Sequence, residues 1–145
     1  MFNEEEILGL FGRCIHCSQI VAGAYAQRLG YDYDEVVRLA APFGGGMFCG
    51  ETCGAVAGAM LVLGMKYGYS QPDDRETDLL CREKAREFHA AFTVRHGSTV
   101  CKTLLGYDTS GPEGLRLARE EGRIAEACPR FVLDAMEILD TMMED

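Results

Sequence analysis

The segment from Thr52 to Tyr67 constrains this chain most, because it is apolar on every side and carries no charge before Lys66. A helix with no polar face has to be buried in the middle of a protein. Gly54 and Gly58 stand one turn apart, and Ala55 and Ala59 repeat the spacing, so neighbouring helices can approach it closely. At about a dozen apolar residues the run is too short to cross a bilayer, which needs about 18 or more. We therefore expect a compact all-α, single-domain helical bundle over residues 1–145, built around this small-residue central helix.

The remaining punctuation is also helical, and no credible run of alternating strand residues is present. A short acidic helix is expected over residues 3–11. A second runs from Cys14 or His16 to Leu29 and stops at Gly30, and a third begins at Asp32 or Asp34 and ends at Pro42. After the glycine-rich loop and the central helix, Asp73 or Asp74 starts a long charged helix through Arg95. Leu79, Leu80, Phe88 and Phe92 are its expected buried anchors. Ser98 is the expected cap of a short helix holding Cys101. A polar helix follows from Pro112, and the last helix is expected to start at Cys128-Pro129, since proline is favoured in a first turn.

This reading sets cysteines near helix starts: Cys17, Cys53, Cys101 and Cys128. The first turn of a helix presents unpaired N–H groups and the positive end of the macrodipole, which favour thiolate over thiol. Cys14-Ile15-His16-Cys17 adds the C-x-x-C spacing, which can form a disulfide or share a metal ion. Cys49 precedes Cys53 across a glycine-rich turn. That loop lacks the glycine and lysine pattern of a phosphate cradle. Cys81 lies inside the long helix and reads as a packing residue, and His89 and His96 read as surface or helix-end residues.

Composition narrows the classes. A net charge of −9 argues against nucleic acid and against an anionic membrane surface as partners. The acidic N-terminus does not read as a secretory signal, and the chain is expected to be cytoplasmic and not membrane-embedded. In that compartment cysteines point to catalysis, redox sensing or metal binding before structural bridges. There are seven, so at least one stays unpaired within a monomer.

Cys17, the block Cys53-Gly54-Ala55-Val56-Ala57-Gly58, Cys101 and Cys128 together resemble the redox-active protein family named for its C_GCAxxG_C_C signature. The resemblance spans nearly the whole chain. It implies a small helical protein with four characteristic cysteines, a proposed redox role and a link to a transporter system. Cys14, Cys49 and Cys81 are additions to that signature.

Three functions stay open at this stage. The first is reversible thiol/disulfide or electron-transfer chemistry with a redox partner protein and no required cofactor. In it Cys53 is the low-pKa nucleophile, Cys17 the resolving thiol and Cys49 the second choice, with Cys14, Cys101 and Cys128 completing the site. The second is a metal or iron–sulfur site held by Cys17, Cys53, Cys101 and Cys128. The third is a non-catalytic helical adaptor with structural cysteines. Phe2, Phe11, Tyr31 and Tyr33 could support a homodimer.

Overall fold

The computed structural model describes residues 2–144, which form eight α-helices and no strand. They are α1 (Glu4–Gly12), α2 (Cys17–Ala26), α3 (Tyr33–Ala40), α4 (Gly54–Tyr67), α5 (Arg75–His96), α6 (Cys101–Leu105), α7 (Pro112–Glu120) and α8 (Arg123–Met142). The all-α expectation holds. Among the described residues no single helix is long and apolar enough to cross a membrane.

Local signals start most of these helices where the sequence suggests. Asn3 Oδ1 accepts the Glu6 N–H at 2.8 Å, Asp32 accepts that of Glu35 at 2.9 Å, and Asp74 accepts that of Thr77 at 3.1 Å. Gly97 ends α5 in the left-handed conformation, with φ of 82°.

The first half of α4 is the buried centre: every residue from Gly54 to Ala59 is enclosed. Its packing against α2 depends on Gly58, where a Cβ would stand 2.7 Å from the Ser18 carbonyl oxygen. Ser18 is itself fully buried and donates its hydroxyl to the Ala40 carbonyl at 2.8 Å, which joins α3 to the same layer. Phe88 and Phe92 of α5 and Val132, Ala135 and Leu139 of α8 close the core around Val56, Ala59 and Val62.

Three expectations fail, each for a physical reason. Leu79 and Leu80 are 63% and 40% exposed, because the N-terminal half of the 22-residue α5 runs beyond the core that Phe88 and Phe92 fill. Ser98 does not cap α6; its hydroxyl accepts the Val100 N–H at 3.0 Å in the turn before, and Val100 is the cap residue. The last helix starts after Gly122 (φ 81°), so Cys128 and Pro129 lie inside it. Proline removes one backbone donor there. The buried face of Ala127, Phe131, Val132, Ala135 and Met136 carries the helix through that defect.

Candidate functional site

The chain around Cys53 and Cys101 is drawn together by backbone bonds. Thr52 and Val100 form an isolated antiparallel bridge. The Cys53 N–H donates to the Thr99 carbonyl at 2.7 Å, and the Cys101 N–H donates to the Glu51 carbonyl at 2.6 Å. These bonds hold the first residues of α4 and α6 side by side. Cys17 opens α2 and reaches the same place, since any side chain at position 54 would collide with its sulfur. Gly54 of the signature block therefore exists to make room for Cys17.

Residues 45–48 complete this wall in an unusual conformation. Gly45, Gly46, Met47 and Phe48 all have φ between 53° and 66°. For the two residues with side chains that backbone costs about 1–2 kcal/mol each. At Gly46 a Cβ would stand 2.5 Å from the Glu51 nitrogen and 2.9 Å from Cys101 Cβ. The left-handed turn sets the Phe48 ring edge-on against His16, with centroids 5.1 Å apart.

The space these residues border is partly open to solvent, has a volume of about 130 Å³ and is lined by Cys17, Cys53, Cys101 and Cys128. Its walls are otherwise mainly apolar, with Phe11, Leu104, Leu105, Ile124 and Phe131 among them, while His16 and Arg119 supply polar groups. Cys53 and Cys101 are 5% and 7% exposed, whereas Cys17 and Cys128 are half-buried. All seven cysteines are unpaired. Cys14 and Cys49 are exposed and do not line the cavity, and Cys81 sits apart on α5.

The electrostatics differ from the expectation drawn from helix starts. Burial pushes the Cys53 thiol far above its ordinary value, and the neighbouring Cys17 and Cys101 sulfurs add to the rise. The Ala55 and Val56 N–H groups face its sulfur and oppose the shift, but neither completes a hydrogen bond with it. Cys128 is likewise raised by burial and then by the other three sulfurs. Burial also raises Cys17, opposed by the N–H groups of Gly45 and Ser18 and by its own. For Cys101 burial is the largest cause, opposed by the Thr109 hydroxyl, which donates to its sulfur at 3.7 Å. Desolvation of a charged sulfur outweighs the helix start at Cys17, Cys53 and Cys101, and Cys128, inside α8, has no helix start to oppose it. Cys53 is not a low-pKa thiol in this state.

Four thiols suit soft metals chemically. In this arrangement, however, no three His, Cys, Asp or Glu side chains among the described residues stand close enough to hold one ion. The proposed four-cysteine ligand set does not fit as the side chains stand.

Sequence reasoning missed Thr109, Phe48 and Arg119. Thr109 is 1% exposed and lies in a turn-rich stretch where a threonine carries no distinctive signal. Phe48 and Arg119 are brought to the cavity only by the left-handed turn and by the packing of α7 on α8.

Distant cysteines of an all-α chain thus open onto one largely apolar cavity. The model of the family described as Putative redox-active protein (C_GCAxxG_C_C) matches residues 15–142, and the chain belongs to that family. No curated protein and no solved structure matches it.

Proposed function

We propose that the protein carries out reversible dithiol/disulfide chemistry inside this cavity. The observation that carries the reading is the lining of one largely apolar space by four unpaired cysteines from α2, the cap of α4, α6 and α8. Single buried cysteines are common in cores, so the weight falls on the convergence of four sulfurs from separate parts of the chain on one space. The Cys17, Cys53 and Cys101 sulfurs all raise the Cys128 pKa, so the four lie within electrostatic reach of one another, and exchange requires a pair to move into bonding distance.

Within this reading Cys17 attacks and Cys53 resolves, which reverses the roles assigned from sequence. Cys17 is the more accessible of the two, and three backbone N–H groups face its sulfur. Cys53 is deeper, and Cys17 is the neighbouring sulfur that influences it most. A thiolate formed at Cys17 takes up one sulfur of a disulfide, and a mixed disulfide results. Cys53 then loses its proton and displaces the substrate half, leaving a Cys17–Cys53 disulfide.

Cys53→Ser tests the order of events. Serine is a good residue at a helix start, so the variant should fold at least as well as the parent. Treated with a disulfide, it should accumulate a mixed adduct on Cys17, read by peptide mass spectrometry. Cys17→Ser should form no Cys53 adduct on the same timescale. Oxidation of Cys17→Ser at the parental rate overturns the assignment.

A further inference from the structure

The cavity lining carries one arginine and no carboxylate. The chain carries 23 aspartates and glutamates, yet none lines this space. Its positive group is Arg119, exposed at the cavity mouth in the last turn of α7, whose guanidinium has no ion-pair or hydrogen-bond partner among the described residues. His16, on the same lining, has its pKa lowered by burial and by Arg119, so Arg119 is the lining's cation at neutral pH. An anionic end is therefore favoured at the Arg119 side and an apolar body beyond it.

Size sets the second limit. An engineered cavity of about 150 Å³ accepts benzene, so about 130 Å³ has room for about six non-hydrogen atoms. That accommodates the sulfur end of a small disulfide. A cystine on a folded protein fits less readily, because its flanking backbone would have to press against the cavity mouth to bring a sulfur to the half-buried Cys17.

We infer that the substrate is a low-mass organic disulfide bearing a carboxylate, with its S–S end among the cavity thiols and its carboxylate at Arg119. This inference rests on the dithiol/disulfide reading and names its substrate class. The exchange balances without another reactant. Two protein thiols give up two protons and two electrons, one protein disulfide forms, the substrate S–S bond breaks, and two small thiols leave carrying the protons. A dithiol reductant returns the protein to its starting state.

The test is a single turnover of the reduced full chain, followed by intact-mass and small-thiol measurements, with three probes at equal concentration. These are the dianion dithiodipropionate, the dication cystamine, and a folded protein with an exposed disulfide. An unselective thiol in a protein of net charge −9 would favour the dication. The inference instead requires dithiodipropionate to react about fivefold faster than cystamine at low salt, with the gap shrinking in salt. Arg119→Gln should erase the gap and Arg119→Lys should restore part of it. If Arg119→Gln does not fold, the parental probe ratio and its salt dependence decide alone.

Equal or faster reaction of cystamine, or of the protein disulfide, overturns the substrate class while leaving the redox reading standing. Thiols that remain reduced with all three probes overturn both.

Discussion

The two ends of α2 treat buried polar chemistry in opposite ways. Near its C-terminus Tyr25 is 1% exposed, and its hydroxyl lies 2.8 Å from both the Met136 carbonyl and Asp140 Oδ1. Arg28 covers the ring at 4.8 Å and reaches Asp140 at 3.8 Å. Every polar atom there has a partner. At the N-terminus Cys17 looks into a cavity with three other thiols, beside two non-glycine residues held in a left-handed turn. A site built for stability satisfies its groups, and a site built for reaction leaves some unsatisfied and tolerates strain beside them. The tyrosine end fastens α2 to α8, and the cysteine end is where the fold keeps reactive groups.

The largest expected effect breaks this comparison by pH. Cys53 and Cys128 have folded pKa values above their ordinary value of 9.0, so the unfolded chain loses these protons first as pH rises. Their contribution to stability is present below that value and is lost as pH climbs through and beyond it. By pH 10 the two thiols together should remove about 3 kcal/mol, measured by denaturant titration at several pH values. Tyr25 is also raised by burial and by Asp140, but it acts from its ordinary value of 10.0. Loss of stability should therefore begin at the cysteine end. A parent protein equally stable at pH 8 and pH 10 would contradict the burial of these thiols.

Gly58→Ala follows in size and strikes the packing that serves both ends. The added methyl would meet Ser18 backbone atoms at 2.7 and 3.1 Å, which cannot swing aside as a side-chain tip can. A loss of about 2 kcal/mol is expected in chemical denaturation, with α2 displaced from α4. Tyr25→Phe should be milder, about 1 kcal/mol, since it removes one hydroxyl and leaves the Arg28–Asp140 pair in place. It should leave cavity thiol alkylation unchanged, which separates the structural end of α2 from the reactive one.

Much of the fold was legible because the responsible forces are local. The all-round apolar character of residues 52–67 required burial, and Asp32 and Asp74, each one of two candidates, marked real helix starts. Cys128-Pro129 misled because the local preference of proline for a first turn was overridden by the buried face of α8 on either side of it. The gathering of Cys17, Cys53, Cys101 and Cys128 followed the signature order, but their chemistry did not follow from helix starts. Desolvation depends on what the rest of the chain packs over each sulfur, and neighbouring sequence does not report it. Arg119 reaches the cavity and Thr109 reaches Cys101 only through tertiary packing, and Phe48 depends on a left-handed turn that its residue types do not announce.

Thr109→Val carries the smallest effect and addresses the interior of the reactive end. The change keeps the shape of a fully buried side chain and removes only the hydroxyl that donates to Cys101 Sγ at 3.7 Å. Stability should move by less than about 1 kcal/mol, because a hydrogen bond to sulfur is weak and the thiol is neutral. Reactivity should respond more clearly. The hydroxyl opposes the rise that burial imposes on the Cys101 pKa, so its loss leaves less thiolate at a given pH. Site-resolved alkylation of Cys101 should slow about two- to threefold, while Cys17, with backbone donors instead, keeps its rate. If both cysteines slow together, the substitution has closed the cavity, and Thr109 acts through packing. An unchanged Cys101 would show that its reactivity is set by burial alone, without a hydroxyl to tune it.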